Sequence, residues 1–378
     1  MITIQNKEVI NMLARFEVEN FKSFQKRLVL DLEKRSNYEF NSDLVKYDVI
    51  RAGIIFGENA SGKSNLGLAV FDLINHLTDK ERGIAKYQYY LNLNSNEKFA
   101  EFKYVFKFND SYLEYSYRKD NPTNLLNEII KINGKTVVEY DFKAHKGICL
   151  LKGAENLNKN LEDTNISFVK YIHSNTILAD DEINLVFKQF MLFVNNMLLF
   201  YSLEGNHYQG FSTERESLGE GIIKRGKLKE FNKFLNEMGI KCNLVAKNID
   251  DKMQIYSKFN HEEVNFFSIA STGTKSLALF FYWLIQMDHM SLVFMDEFDA
   301  YYHFDLSYKV VEYVIKNMNL QVLFTSHNTN LMTNELLRPD CYFNLKNNSI
   351  KSFANLTEKE LRKAHNLQKM YKAGAFDE

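Results

Sequence analysis

Residues 54–66 read IIFGENASGKSNL, and this stretch decides the fold. Its centre, from Gly57 to Ser64, fits the pattern G-x-x-x-x-G-K-[ST] of a phosphate-binding loop. The glycines let the backbone curl until its N–H groups surround a phosphate, and the following helix adds its positive N-terminal end. In this pattern Lys63 reaches the β- and γ-phosphates of a nucleotide, and the Ser64 hydroxyl ligates Mg²⁺.

The residues on either side supply the context that such a loop needs. Ile50–Phe56 ends in an apolar run that is typical of a buried parallel strand. Leu66–Leu77 carries apolar residues at helical spacing. A strand, a loop and a helix in this order make a chance glycine-rich turn a poor explanation. The predicted cofactors are therefore ATP and Mg²⁺. The predicted nucleotide-binding residues are Gly57, Asn59, Ala60, Ser61, Gly62, Lys63, Ser64 and Asn65.

A second motif, SLVFMDE at Ser291–Glu297, is an apolar strand that ends in two acids. A P-loop enzyme needs a carboxylate beside the loop to hold Mg²⁺ through water, and Asp296 fits that role. Glu297 can then polarise the attacking water as a general base. Taken alone, the pattern fits a solvated strand end equally well, but the upstream loop favours the catalytic interpretation.

Two weaker signals frame this strand. Ser271-Thr272-Gly273-Thr274-Lys275 opens a strongly apolar helix predicted at Lys275–Met287, and by itself it is best explained as a helix N-cap. His327 follows the predicted strand Gln321–Thr325. A lone histidine is usually structural, and this chain has nine. What makes His327 a candidate catalytic residue is the order in which the four motifs occur.

These four motifs in this order resemble the ABC-type ATPase class that includes SMC and RecF proteins. The resemblance implies that Ser271 and Gly273 contact the γ-phosphate of a nucleotide bound on another subunit, and that His327 orients the attacking water. The chain departs from the transporter form of the loop, LSGGQ, at several positions. The opening FEVENFKSF at 16–24 resembles the first strand and turn of RecF-like ATPases, which places Lys22 near the nucleotide. The resemblance to the ABC-type class also implies that the chain assembles into a homodimer or higher homo-oligomer around ATP.

The end of the chain narrows the resemblance further. Residues 362–376 are similar to the tail of small bacterial AAA/OLD-like ATP-binding proteins of phage-defence modules, of the AbiL/RloA and PARIS types. These imply a separately encoded, nuclease-like effector, since too little chain follows His327 for a nuclease domain here. The alternative is a RecF-like DNA-maintenance ATPase. The resemblance leaves residues 1–11 unexplained.

The rest of the sequence predicts the organisation around the site. Residues 99–118 alternate strongly and turn at Asn109-Asp110, which indicates an antiparallel meander. The pattern is helical from about 165 to 241, most clearly at Ile183–Leu199. We therefore predict an α/β P-loop NTPase of ABC/SMC/RecF type, with a parallel-rich core sheet, an antiparallel β subdomain and a helical insertion. The predicted divisions are 1–160, 161–245 and 246–378, the outer two forming one ATPase domain.

The composition of the chain limits the classes of protein to which it can belong. The chain has 378 residues, 45% of them hydrophobic and 25% charged, which excludes global disorder. Its net charge of −1 gives no argument for binding DNA, and the basic run Lys224–Lys229 fits a solvated helix end better than a nucleic-acid contact.

Cys149, Cys242 and Cys341 have neither disulfide nor metal-site spacing. With no apolar run long enough to span a bilayer and no secretory pattern, we expect a cytoplasmic protein and no membrane partner. ABC-type ATPases use a glutamine between the two lobes to sense Mg²⁺. No glutamine of this chain can be assigned to that role from the sequence, and Gln88 is only a guess for it.

Overall fold

The computed structural model describes residues 11–33, 36–80, 84–162, 166–201, 207–210, 217–286 and 289–377. Its strands form two seven-stranded sheets, a three-stranded sheet and a two-stranded pair. The strands are β1 (Asn11–Glu19), β2 (Leu28–Asp31), β3 (Val45–Lys46), β4 (Val49–Ile50), β5 (Ala52–Phe56), β6 (Ala100–Phe108), β7 (Ser111–Asn121), β8 (Asn124–Ile132), β9 (Lys135–Asp141), β10 (Lys146–Cys149), β11 (Met197–Tyr201), β12 (His207–Gly210), β13 (Leu244–Ile249), β14 (Lys252–Lys258), β15 (Glu263–Asn265), β16 (Leu292–Asp296), β17 (Gln321–Thr325), β18 (Tyr342–Lys346) and β19 (Ser349–Ser352). The helices are α1 (Lys63–Val70), α2 (Ile74–Leu77), α3 (Phe168–Asn175), α4 (Glu182–Asn195), α5 (Leu218–Lys224), α6 (Leu228–Glu237), α7 (Phe266–Ile269), α8 (Thr272–Leu284), α9 (Phe304–Asn317) and α10 (Leu367–Lys372).

The core sheet has the strand order β12-β11-β16-β17-β5-β18-β19. Its inner strands β11, β16, β17, β5 and β18 run parallel, and antiparallel β12 and β19 close the two edges. The strands β5, β16 and β17 are buried along their whole length, as expected when both faces of a parallel sheet are covered. Because these three strands are adjacent and parallel, the loops that follow them meet at one edge of the sheet.

The second large sheet is antiparallel, with the order β10-β9-β8-β7-β6-β1-β2. Buried and partly exposed residues alternate along β6, so one face of this sheet is core. Phe106 on that face packs against Phe190 and Phe193 of α4, with ring centroids 5.3 and 5.1 Å apart. The predicted turn at Asn109 is confirmed: Asn109 has φ +51°, a left-handed conformation that asparagine tolerates.

A buried glutamine joins the two large sheets. The side chain of Gln321, the first residue of β17, accepts a hydrogen bond from the Leu13 N–H at 2.8 Å. Its amide nitrogen donates to the carbonyl oxygens of Leu13 at 2.8 Å and Ile50 at 3.0 Å. One side chain thus satisfies the backbone of β1 in the antiparallel sheet and of β4 beside the core sheet, which fixes the two sheets relative to each other.

Three element predictions need correction. The helix predicted at Ile183–Leu199 ends at Asn195, and Met197–Tyr201 instead form β11, which pairs in parallel with β16. The helix predicted at Leu66–Leu77 begins at Lys63 and is interrupted between Val70 and Ile74. The helix predicted at Lys275–Met287 begins earlier, at Thr272, and ends at Leu284, and the short helix α7 precedes it at Phe266–Ile269. The insertion predicted at 161–245 therefore contributes the strands β11 and β12 to the core sheet as well as helices.

Cys149, Cys242 and Cys341 are free thiols, and Cys149 and Cys341 are buried. Among the helices of the described ranges, none combines the length and the apolar character needed to cross a bilayer.

Candidate functional site

The loop after β5 is shaped for close approach of an anion. Gly62, the N-cap of α1, has φ +102°, and a Cβ there would lie 2.7 Å from the Ser23 hydroxyl oxygen. A Cβ on Gly57 would lie 2.5 Å from Ser61 Oγ and 2.7 Å from the Leu345 carbonyl oxygen. Ala60 also adopts a left-handed conformation, with φ +63°. Both glycines of the motif are therefore required by space, and at Gly62 also by backbone geometry.

Lys63 lies under this loop, with 4% of its surface exposed. Its Nζ donates hydrogen bonds to the carbonyl oxygens of Gly57 at 3.0 Å and Glu58 at 3.2 Å. Nζ also lies 2.8 Å from Nε2 of His327, and since an ammonium group can only donate, this ring nitrogen is the acceptor. Burial lowers the pKa of Lys63, whereas the nearby carboxylates of residues 296, 297 and 299 oppose that shift.

The loop also fits the group that its sequence pattern implies. Ser61 Oγ is buried and has no hydrogen-bond partner within the described part of the chain. Asn59, Ala60 and Ser64 are exposed around it. An unpaired buried hydroxyl costs free energy unless a ligand or water satisfies it. Together with the N-terminal N–H groups of α1, this hydroxyl suits the oxygens of a nucleotide phosphate.

Asp296, the last residue of β16, faces the same loop. Its carboxylate accepts a hydrogen bond from Thr325 Oγ1 at 2.8 Å. Burial raises the pKa of Asp296, and the hydroxyl groups of Ser64 and Thr325 oppose the shift. The predicted Mg²⁺ ligands Ser64 and Asp296 therefore lie close to each other. In the described ranges no three His, Cys, Asp or Glu side chains cluster as a metal site.

Glu297 and His327 complete the group. Glu297 has φ +46°, an uncommon conformation for a residue with a side chain, and Thr325 Oγ1 accepts its N–H at 2.7 Å. Glu297 Oε1 lies 3.5 Å from His327 Nε2, and the two side chains are 21% and 40% exposed. The structure therefore brings together Lys63, Asp296, Glu297 and His327, which come from three separate parts of the sequence.

The turn that carries Lys22 packs against the loop. Asn65 Nδ2 donates to Ser23 Oγ at 2.9 Å, which ties the turn to the first part of α1. Lys22 has φ +47°, and its Nζ donates to the backbone carbonyl oxygen of Gln88 at 2.9 Å. Burial lowers the pKa of Lys22. Gln88 thus lies beside the Lys22 side chain and is exposed.

Ser271 and Gly273 lie elsewhere. Ser271 is the exposed N-cap of α8, and its Oγ accepts the Thr274 N–H at 3.2 Å, so the N-cap interpretation describes its contacts in this structure. A Cβ on Gly273 would lie 2.9 Å from the Tyr301 carbonyl oxygen. Within the described ranges no hydrogen bond joins either residue to the phosphate-binding loop. The structure does not bring these two residues into the site of their own chain.

Sequence reasoning missed three residues that support the site: Thr325, Ser326 and Asp299. Thr325 links Asp296 to the backbone of Glu297. Ser326 Oγ donates to Asp299 Oδ2 at 2.6 Å. The parallel pairing of Met295 with Phe324 places Thr325 beside Asp296. The sequence did contain one signal for these contacts: a hydroxyl residue, Thr325, ends the strand β17, which pairs with the strand β16 that ends in Asp296.

The basic run at 224–229 is partly neutralised. Lys224 pairs with Glu220 at 2.9 Å, and Lys227 pairs with Glu230 at 2.8 Å. These ion pairs lie on the surface, within one helix or at its start. They agree with a solvated helix end and give no support to a nucleic-acid surface at this place.

The fold and the site define the class. A phosphate-binding loop between a buried parallel strand and α1, an Asp-Glu pair after β16 and a histidine after β17 are the parts of an ATPase domain of the ABC/SMC-like P-loop class. The model of the family described as "AAA domain, putative AbiEii toxin, Type IV TA system" matches residues 54–333, well over half of the chain. The chain belongs to this family.

Solved structures give a more distant likeness. The SMC head domain from Thermotoga maritima is 14% identical, with 90% of this chain and 98% of that chain covered and a TM-score of 0.45. The Smc head domain with a coiled coil and joint from Pyrococcus yayanosii is 11% identical, with 96% and 100% covered and a TM-score of 0.48. Comparison with curated proteins gave no match. The finer resemblance to the AbiL/RloA and PARIS types stays a prediction.

Proposed function

We propose that this protein binds ATP with Mg²⁺, hydrolyses it at sites shared between subunits, and thereby controls a separately encoded effector in antiviral defence. The observation that carries the ATPase part is the convergence of Lys63, Asp296, Glu297 and His327 at the C-terminal edge of the core sheet. In open α/β sheets this edge is where ligands bind.

Each side chain has a role in the proposed reaction. Lys63 binds the β- and γ-phosphates, and Ser64 and Asp296 would hold Mg²⁺. When bound, Mg²⁺ offsets the charge that builds on the phosphate oxygens. Glu297 takes the proton of the attacking water, and His327 orients that water against the γ-phosphate. The left-handed backbone of Glu297, held by Thr325, is the kind of local strain that a site uses to aim a side chain.

The contact between Lys63 and His327 supports an ordered sequence of events. All three acceptors of the Lys63 ammonium group are protein atoms in this structure: Gly57 O, Glu58 O and His327 Nε2. Phosphate oxygens are stronger acceptors than a neutral imidazole, because they carry charge. Binding of ATP therefore draws Lys63 away from His327 and leaves the imidazole ring free to face the γ-phosphate.

Assembly of two chains is the second part of the proposal. Ser271 is exposed, and its contacts are with Thr274 of its own helix. A serine hydroxyl and the backbone N–H groups at the start of a 13-residue helix can bind the phosphate of a nucleotide that another chain holds. In a two-fold dimer that faces head to tail, this helix start of one chain meets the phosphate-binding loop of the other, and two identical sites result.

The effector and the defence role rest on the family. The family description names a "putative AbiEii toxin" of a "Type IV TA system", that is, a toxin–antitoxin pair. This favours a protein that works with a partner. The ion pairs within the run 224–229 leave DNA binding without a specific supporting contact. We place the protein in the cytoplasm, where ATP is available.

The test of the ATPase proposal is Glu297→Gln, which keeps the size of the side chain and removes its basicity. We expect ATP to bind normally, turnover to fall by about 10²- to 10⁴-fold, and an ATP-bound dimer to accumulate. Phosphate release and mass measurement with and without ATP give both readings. Turnover at the wild-type rate would assign the base to another residue. No ATP turnover in the wild-type chain would remove the enzymatic part of the proposal.

A further inference from the structure

His327 is the most exposed of the four side chains that converge at the candidate site, with 40% of its side chain exposed. Two polar groups lie beside its ring: Lys63 Nζ at 2.8 Å and Glu297 Oε1 at 3.5 Å. In the proposed reaction Lys63 turns to the phosphates, which removes the shorter of these contacts. The position of the ring then depends on the backbone that carries it.

Ser326 holds that backbone. Its Oγ accepts a hydrogen bond from the Asn328 N–H at 2.8 Å, which closes a tight turn around His327. The same hydroxyl donates its single proton to Asp299 Oδ2 at 2.6 Å. Ser326 is fully buried, so water does not replace either bond. The turn around His327 is therefore fixed to Asp299 by one hydroxyl group.

Asp299 belongs to a different element, the loop that follows β16 and Glu297. The backbone carbonyl oxygen of Asp299 accepts the Tyr302 N–H at 3.0 Å, so the loop is closed by the main chain and not by the carboxylate. Burial raises the pKa of Asp299, and the hydrogen bond from Ser326 opposes this shift. A partly buried carboxylate costs stability unless it is paired or has a function. Within the described ranges, its side chain makes no hydrogen bond to the phosphate-binding loop.

We propose that Asp299 is a positioning residue: through Ser326 it holds the turn that aims His327 at the γ-phosphate. In this proposal Asp299 does not contact the nucleotide or the attacking water. Its charge also favours the ammonium form of Lys63, but the hydrogen bonds that position the site run from Asp299 through Ser326 to the turn of His327. This inference rests on the proposed ATPase function. It ties two loops of the site together, the one that carries the base Glu297 and the one that carries His327.

The experiment measures ATP affinity and turnover for Asp299→Ala, Ser326→Ala and Asp299→Asn, each made alone and together with His327→Ala. Asp299→Ala is expected to lower the turnover number about 10- to 100-fold, because the ring is misplaced, while ATP affinity changes by less than about twofold. Ser326→Ala removes the same hydrogen bond from the other side and is expected to act alike. Asp299→Asn keeps an acceptor oxygen for Ser326 and is expected to stay within about twofold of wild type. Asp305→Ala, which changes an exposed acid in the first turn of α9, is the matched control.

The double variants decide the question. If Asp299 acts through His327, then Asp299→Ala changes turnover by less than about twofold once His327 is alanine. An equal loss in both backgrounds overturns the proposal and leaves the ATPase function standing. Turnover that is insensitive to His327→Ala also overturns it, since no positioned group remains. A wild-type chain without ATP turnover overturns both proposals. Thermal unfolding reports on folding, and Ser326→Ala carries the test if Asp299→Ala does not fold.

Discussion

At the scale of single residues, the site is held together by charged and hydroxyl groups that satisfy one another without a ligand. Lys63 has three protein acceptors, and Asp296 accepts a hydrogen bond from Thr325. The ammonium group and the Asp296 carboxylate are therefore hydrogen-bonded within a largely buried place. Phosphate binding exchanges the acceptors of Lys63 and does not create a new buried charge.

The first prediction concerns Lys63→Ala. The change removes the side-chain cation placed for the β- and γ-phosphates, where each charge-assisted hydrogen bond contributes about 1.5–3 kcal/mol. We expect ATP binding to be abolished and the fold to be kept. Titration of the purified variant with ATP and its thermal unfolding measure the two. Lys359→Ala, an exposed lysine in the C-terminal part of the chain, is the control. Binding of ATP as tight as in wild type would show that the phosphate-binding assignment is wrong.

A second charged pair lies away from the candidate site and is completely buried. Lys119 Nζ of β7 is 2.7 Å from Asp72 Oδ2, and both side chains have no exposed surface. Tyr117 Oη also donates to Asp72 Oδ2 at 2.8 Å. Asp72 follows α1 directly, so this pair anchors the far end of the P-loop helix to the antiparallel sheet. Removing one partner leaves an unpaired buried charge, which is costly.

The second prediction is that Lys119→Met lowers the free energy of unfolding by about 3–5 kcal/mol. Lys119→Met with Asp72→Asn is expected to recover most of that loss, because the charge is gone and Tyr117 keeps an acceptor. Lys103→Met is the matched control on the neighbouring strand β6. Its pair with Glu114 spans 2.8 Å but is partly exposed, so we expect a loss under about 1 kcal/mol. Denaturant unfolding measures all three, and a double variant no more stable than Lys119→Met would contradict the ion-pair explanation.

At the scale of elements, the sequence predicts best where local signals and position in the sheet agree. The strands β5, β16 and β17 were predictable because each is a short apolar run that ends in a glycine, an acid pair or a serine-histidine pair. The strand β11 was mistaken for helix because its five residues, MLLFY, are all apolar and follow a helical stretch without a proline or glycine between them. What makes this segment a strand is pairing with β16, which is distant in sequence.

The supporting residues of the site were not predictable for a related reason. The link from Thr325 to Asp296 requires two strands in a known register, and the link from Ser326 to Asp299 requires two loops at the same sheet edge. Periodicity and motifs contain no information about either distance. The motif residues themselves could be named, because a phosphate-binding loop is defined by local backbone geometry.

One further element depends on a buried acid. Glu128 of β8 accepts hydrogen bonds from the Phe168 and Val169 N–H groups at the start of α3, and from Ser167 Oγ at 2.9 Å. Tyr115 Oη donates to the same carboxylate at 2.9 Å. The side chain caps α3 from another part of the chain. Burial raises the pKa of Glu128, although all these donors oppose that shift.

The third prediction follows from this raised pKa. The folded chain holds the Glu128 proton more tightly than the unfolded chain, so this group contributes stability below the ordinary pKa of 4.5 that is lost as pH rises through the folded value. The unfolding free energy of wild type relative to Glu128→Gln should therefore fall as pH rises above 4.5. Denaturant unfolding at several pH values measures the difference. Glu139→Gln, an exposed position on β9, should show no such trend, and a flat difference for Glu128→Gln would refute the assignment.

At the scale of the whole molecule, the two candidate phosphate contacts lie in separate elements of one chain. The phosphate-binding loop follows β5, whereas Ser271 opens α8, which packs with α5 and α6. The side chain of Gln321 fixes the antiparallel sheet to the core sheet. In the proposed dimer, Ser271 of a second chain would meet the nucleotide that the phosphate-binding loop holds.

The fourth prediction tests that arrangement with Ser271→Arg and Lys63→Ala. Ser271→Arg adds bulk and positive charge at the start of α8 and leaves the phosphate-binding loop intact, so the variant should bind ATP but lose hydrolysis and ATP-dependent assembly. Each variant is expected to be inactive alone. In a mixed dimer one site carries both changes and the other carries neither, so mixing should restore part of the wild-type turnover, up to about half when every chain is in a mixed dimer. The matched control mixes Lys63→Ala with Glu297→Gln, which damage the same half of the site and should restore nothing. If Ser271→Arg and Lys63→Ala also restore nothing, although mass measurement confirms mixed dimers, the active site is not shared between subunits.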